Sequence, residues 1–253
     1  MFRSRGRIVL VSLLALLTVP ACLCWSQSGA LVTVDLDGSD GVIVVTGGFT
    51  YSHGETFEAT PGDIITYAPL DSSRKIRGLT RTYLVEEGEQ TLHVPYCQME
   101  IDLPDACQVK LVESGEVFTD GQRKWVPTGA RVFYIPYDAT GKISGPQGCK
   151  TVDCSALAPS YCQMQVDTGE SGWKVKLVQT GELLADGDSK WLPVSAKVFY
   201  IPYDATGKIA GPQASVTVDC DPLVVIGEDL SCDMKVDTGT SGGFVKLVQT
   251  GDI

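Results

Sequence analysis

The 253-residue sequence contains no asparagine, and it has only two histidines, His53 and His93. Without asparagine there is no Asn-x-Ser/Thr acceptor for N-linked sugar. The same absence fits a GC-rich or heat-adapted source. Two histidines are a poor basis for a hydrolytic triad or a zinc centre, and neither a His-Glu-x-x-His motif nor a phosphate-cradling Gly-x-x-x-x-Gly-Lys loop occurs. The sequence therefore reads as non-catalytic, with no catalytic residue to name. After Val19 no stretch reaches eighteen consecutive apolar residues, the length a spanning helix requires.

What is present at the start is a targeting segment over residues 1–30. Arg3, Arg5 and Arg7 form a positive region, and Ile8 to Val19 is an apolar run too short to span a bilayer. Two processing routes fit. Ser28-Gly29-Ala30 satisfies the small-residue rule and would release the chain, whereas Val19-Pro20-Ala21-Cys22 resembles a lipobox that would lipidate Cys22 and tether it. Removing residues 1–30 leaves 17 basic residues against 31 acidic ones, a net charge of −14. So acidic a chain, with no Lys/Arg cluster after the signal, repels phosphate backbones and excludes nucleic acid as a partner.

The chain then repeats itself. Val132 to Ile143 (VFYIPYDATGKI) recurs unchanged as Val198 to Ile209, a period of 66 residues. Trp125 recurs as Trp191, Cys97 as Cys162 and Cys232, and Cys154 as Cys220. A diverged copy without cysteines occupies 31–96, where Tyr67-Ala68-Pro69-Leu70-Asp71 and Lys75-Ile76-Arg77-Gly78 keep the frame of Tyr200 to Gly211. His53 there takes the place of Asp120 and Asp186. Clear copies span 97–154 and 162–220. A further copy opens at 232–253 and stops about a third of the way through, as expected of a fragment. Fixed-period repetition belongs to architectures that present surface or span distance.

Within a copy the apolar period is two. Cys162, Met164 and Val166 alternate with polar residues, as do Val216, Val218 and Cys220, and no window carries ten residues of helical pattern. Asp120-Gly121 and Asp186-Gly187 read as two-residue hairpin turns, and Asp204 to Lys208 as another turn. Pro202 is expected at a strand edge or bulge. The fold class that follows is all-β: tandem small immunoglobulin-like β-sandwich repeats of about 66 residues.

Cys22 and Cys24 lie at the signal, and an exported chain oxidises the rest. The copy at 162–220 has only Cys162 and Cys220, which should pair. Equivalence gives Cys97 with Cys154, which leaves Cys107 with Cys149 and Cys232 alone. The pairs would fasten first strand to last. A 60-residue unit is marginal alone, and closing so long a loop contributes on the order of 4 kcal/mol.

The candidate ligand-binding residues are the recurring aromatics Trp125, Tyr134, Tyr137, Trp191, Tyr200 and Tyr203, which can stack a sugar or anchor a protein. Their competing role is structural, with Trp191 filling the core and Tyr203 bracing a turn. No metal is required. A weak calcium candidate is the loop with Asp35, Asp37 and Asp40, which lacks the EF-hand's terminal Glu and reads more simply as a turn. Cys-x-Met pairs such as Cys162 and Met164 read as core. The apolar Leu223-Val224-Val225-Ile226, between copies, reads as a docking linker. The expected protein is an exported, non-catalytic repeat protein, secreted or on the cell surface, acting as stalk or adhesion module on an extracellular protein or glycan. Its membrane link would be only a lipid on Cys22. The rival expectation is a carbohydrate-binding accessory region of a larger secreted enzyme.

Overall fold

The computed structural model describes residues 29–169, 172–220 and 223–225. The signal run, Cys22, Cys24, Cys232 and the copy at 232–253 lie outside the described residues. The fold is all-β, built of several small sheets, and no helix occurs among the described residues. None, accordingly, is long and apolar enough to cross a membrane.

Three successive strand sets share one plan. The first holds β1 (Ala30–Asp35), β2 (Val42–Val45), β3 (Thr50–Ser52), β4 (Thr56–Ala59), β5 (Ile64–Leu70), β6 (Arg81–Leu84) and β7 (Glu89–His93). Its sheets have the orders β4-β1-β7 and β3-β2-β5-β6. The second holds β8 (Tyr96–Glu100), β9 (Gln108–Leu111), β10 (Val117–Thr119), β11 (Arg123–Pro127), β12 (Arg131–Tyr137) and β13 (Gly148–Thr151), ordered β11-β8 and β10-β9-β12-β13. Here the closing strand shrinks to one parallel bridge, Ile101 to Leu157. The third holds β14 (Tyr161–Asp167), β15 (Lys174–Leu177), β16 (Leu183–Ala185), β17 (Ser189–Pro193), β18 (Lys197–Tyr203), β19 (Ala214–Thr217) and β20 (Leu223–Val225), ordered β17-β14-β20 and β16-β15-β18-β19. In each set the first strand pairs antiparallel with the fourth and parallel with the closing segment. We call these sets units 1, 2 and 3.

Alternation places the cores. Ala30, Val32 and Val34 of β1 point inward, as do Cys97 and Met99 of β8 and Cys162, Met164 and Val166 of β14. Each unit has its own apolar cluster, but the clusters borrow from their neighbours. Tyr96 and Trp125 of unit 2 pack on the unit 1 core, Ile76 of unit 1 lies in the unit 2 core, and Ile143 of unit 2 lies in the unit 3 core.

Several expectations change on this scaffold. Asp120-Gly121 and Asp186-Gly187 do not close hairpins, because β10 pairs with β9 while β11 pairs with β8, so the turn carries the chain between sheets. The side chain explains the residue type: Asp120 Oδ1 accepts the Leu103 amide, Asp186 Oδ1 that of Thr168, and His53 Nδ1 that of Leu36. Pro202 sits inside β18, opposite Val175, where its carbonyl accepts from Ala210 beyond the end of the β19 pairing. Its missing N–H faces that same side, so the β15 ladder loses nothing. Leu223–Val225 is no docking linker but strand β20, paired parallel with β14.

The disulfides Cys97–Cys154 and Cys162–Cys220 are formed. Cys154 and Cys220 each lie just past the sixth-strand pairing with φ near +69°, so the bridges tie the first strand to a corner, ahead of the closing segment. Cys107 and Cys149 do not pair. β12 lies between β9 and β13, which puts the two flanking strands roughly 9–10 Å apart across the sheet, beyond the roughly 7 Å that a bridge spans between Cα atoms. Cys107 is buried and Cys149 exposed. Burial, with Asp138 and Asp105 nearby, pushes the Cys107 thiol up to about 11. Of the described cysteines, only Cys149 should react with a water-soluble alkylating reagent in the native chain, and Cys107 only after unfolding. Peptide mass mapping before and after denaturant checks this, and a mass corresponding to a joined Cys107–Cys149 pair would refute it.

Candidate functional site

The sequence's candidate aromatics do not converge. Tyr134 and Tyr200 pack against the cores of units 2 and 3, and Trp125 covers the unit 1 core. Trp191, expected to fill a core, is 39% exposed, and Tyr137 and Tyr203 are half-buried at strand ends. The calcium candidate is likewise rearranged. Parallel pairing of β1 with β7 sets Asp35 opposite His93, so Asp35, Asp37 and His93 hold their ligand atoms within 4.8 Å of one another, without Asp40. The hydrogen bond from His93 holds the Asp35 carboxyl below its usual value. Three donors, one of them nitrogen, fall well short of the six to eight oxygens calcium takes. Asp37 Oδ2 is already committed to the Tyr96 amide.

What the structure does bring together is a repeated constellation between consecutive units. At the first junction the loop after β5 presents Asp71, fully buried. Its Oδ1 accepts the Lys75 and Ile76 amides and its Oδ2 accepts from the Ser73 hydroxyl. Lys124 of β11 in unit 2 reaches Asp71 Oδ2 at 3.0 Å and Glu116 Oε2 at 2.7 Å. At the second junction Asp138 accepts the Lys142 and Ile143 amides and the Thr140 hydroxyl, and Lys190 of β17 lies 3.1 Å from Asp138 Oδ2 and 2.5 Å from Glu182. The lysine side chains are almost wholly buried.

The rest of the junction repeats as well. Ile76 and Ile143, beside the aspartates, are buried in the next unit's core. Tyr96, first residue of β8, reaches back to donate to the Val42 and Leu70 carbonyls, and Tyr161, first of β14, donates to those of Gln108 and Tyr137. Burial pushes both hydroxyls far above the usual phenol value. Gly78 lies between Pro69 and Pro127, and Gly145 between Pro136 and Pro193. A Cβ at either would sit 2.7 Å from the proline carbon across the joint. Each glycine therefore permits the units to close on each other.

The electrostatics are those of a satisfied buried triad. Burial alone would raise the Asp71 and Asp138 carboxyls, yet hydrogen bonds and the lysine hold both below their usual values. Burial alone would lower Lys124 and Lys190, yet the two carboxylates facing each keep them raised. Such a group suits a fixed joint, since its members hold their charges over a wide pH range. The sequence reading missed these residues. The signal was the recurrence of Asp-x-x-x-Lys-Ile in all three copies and of Lys-Trp in two, which nothing in a single sequence places face to face.

An open groove of about 450 Å³ also lies in unit 1, lined by Phe49, Tyr51, Phe57, Ile64, Ile65 and Glu58 among others. Phe49 and Ile64 are exposed, and the Tyr51 and Phe57 rings sit 4.7 Å apart.

No family model matches this chain, and no curated protein matches it. Among solved structures it is similar to the Bacillus anthracis TIE protein at 12% identity, a TM-score of 0.19 and 79% coverage of this chain. It is also similar to domains 7, 8 and 9 of the S-layer protein SbsC at 10% identity and a TM-score of 0.18, with 70% of this chain and 79% of that one covered. This chain spans about half the length, 49%, of the TIE protein structure. Likeness at these TM-scores carries no argument about fold or role.

A pH dependence follows from the triads. The aspartates' folded-state values are lowered, so their contribution is complete above about 3.9 and is lost as pH falls through the lowered value. The lysines' are raised, so theirs is complete below about 10.4 and lost as pH rises through the raised value. The urea midpoint should be level from about pH 5 to 9 and fall on both sides. In Asp138→Asn the acid-side fall should shrink, and a fall unchanged in that variant would contradict the assignment.

Proposed function

We propose that the chain is an exported, non-catalytic repeat protein, secreted or held at the cell surface, in which small immunoglobulin-like units of about 66 residues form a stalk or adhesion module. The observation that carries this reading is the junction built twice over, Asp71–Lys124–Glu116 and Asp138–Lys190–Glu182. Buried ion pairs with defined geometry fix how one unit sits on the next, which a spacer needs and a string of loose beads does not. The two long-loop disulfides support an oxidising compartment. The arginine-led apolar start supports export, with lipidation at Cys22 as a route to membrane attachment. The acidic surface supports an extracellular protein or glycan as partner and argues against nucleic acid. Fractionation of the producing cells tests the reading. The chain should lie outside the cytoplasmic membrane with Cys97–Cys154 and Cys162–Cys220 oxidised, and a reduced cytoplasmic pool would overturn it.

The unit 1 groove favours a second reading, a carbohydrate-binding region accessory to a larger secreted enzyme. Paired rings beside exposed apolar side chains are the surface on which a sugar ring stacks. On a glycan array the intact chain should retain a ligand and lose it at least tenfold in Tyr51→Ala. An array without retained glycan would remove this reading and leave the stalk.

A further inference from the structure

Unit 3 repeats the aspartate half of the junction, the half that accepts, and among the described residues no lysine of another unit faces it. Val198 to Ile209 is identical to Val132 to Ile143, so any difference between the two loops comes from their surroundings. In unit 2 the loop closes with the Asp138 amide on the Ile143 carbonyl, and the Ile143 amide donates to Asp138 Oδ1. Unit 1 does the same with Asp71 and Ile76. In unit 3 the Asp204 amide bonds instead to the Lys208 carbonyl, one residue earlier, and Asp204 Oδ1 accepts from Thr206 and Lys208. The bridge moves with it, from Tyr137–Ser144 to Tyr203–Ile209. Ile143 is 1% exposed, inside the next core; Ile209 is 38% exposed.

We infer that the Tyr203–Ala210 end of unit 3 is a socket for a further unit of the same kind, one that carries a lysine where Lys124 and Lys190 stand, and that docking shifts the loop by one residue. The argument is continuity with two filled junctions and complementary charge. A carboxylate and an isoleucine already meet a lysine-bearing fourth strand at each of the two joints, and at the second the loop sequence is identical to that of unit 3. Residues 232–253 reopen the unit pattern in sequence, with CDMKVDTG echoing CQMQVDTG, so a following unit is the natural occupant. A second copy of the chain is not, because the β-pairing register puts Phe57 of unit 1 where Lys124 and Lys190 stand, opposite Val32 in place of Met99 and Met164. Unit 1 thus brings an aromatic ring, not a cation, to that position.

The inference rests on the tandem-unit reading above, but export is read by fractionation and this by exchange, so either can fail alone. The test inserts a duplicate of residues 155–220 after Cys220 in the full chain, which supplies a second Lys190 facing Asp204. Ile143 and Ile209 both follow lysine, so their amides share one intrinsic exchange rate, and hydrogen exchange compares them directly. In the unmodified chain Ile209 should exchange at least ~tenfold faster than Ile143. In the extended chain the Ile209 amide should slow toward the Ile143 rate, and Asp204→Asn should restore fast exchange. An Ile209 amide that stays fast while the inserted disulfide is formed would overturn the socket. Should the insert not oxidise, Lys190→Ala in the unmodified chain decides. Speeding of the Ile143 amide by ~tenfold supports the lysine-held loop, and no change refutes it.

Discussion

Two aspartates, Asp71 and Asp138, are sealed from water in loops that cannot neutralise them from within their own unit. Local amides and hydroxyls satisfy the lone pairs but carry no full charge, and an isolated buried carboxylate is expensive. The compensating ammonium comes from the next unit in each case. The cost of an unmatched buried charge, about 3–5 kcal/mol when one partner of such a pair is removed, therefore falls on the joint between units. Around it the isoleucine, the first-strand tyrosine and the proline-flanked glycine add apolar burial and two hydrogen bonds that also cross the joint. The units are separate in topology yet share their cores.

This sharing explains why the loop in unit 3 differs. Twelve identical residues close in one register against a neighbouring unit and in another where, among the described residues, no following unit stands. Local sequence chooses a turn here, with Gly141 and Gly207 both at positive φ, but leaves the closing residue to tertiary contact. The side chain that decides is isoleucine, worth roughly 1.5–3 kcal/mol on full burial, enough to select between two turns of similar energy. Unit 1 departs at the other end. Phe57 replaces the lysine and packs with Tyr51, beside an open groove of mixed polar and apolar lining.

Period-two alternation and the repeat made the all-β architecture legible in the sequence, because both are local or self-referential signals. So was the pairing of Cys162 with Cys220, since that copy has no other cysteine. The elimination step that joined Cys107 to Cys149 failed because it counted thiols without knowing that β12 separates their strands. Asp120-Gly121 looked like a hairpin for a similar reason, as the dipeptide marks a tight turn but not which sheet each flank joins. The junction is visible in the repeat as a recurring frame, Tyr67 to Gly78 against Tyr200 to Gly211, which by itself specifies only a turn. Its second half, Lys124 or Lys190, lies more than fifty residues onward from its aspartate, and only the folded chain brings the two within hydrogen-bonding distance. The recurring tryptophans are large enough to anchor a ligand, yet Trp125 covers the unit 1 core and Trp191 stands 39% exposed. The neighbouring lysines were the more consequential residues.

The account turns on whether Asp138 and Lys190 are energetically coupled across the joint. A double-mutant cycle built from Asp138→Asn, Lys190→Met and the pair, read by urea unfolding at pH 7, measures this directly. The account predicts a coupling of at least about 1.5 kcal/mol, with the double variant less destabilised than the two single losses together. Single losses that simply add, within about 0.5 kcal/mol, would contradict it.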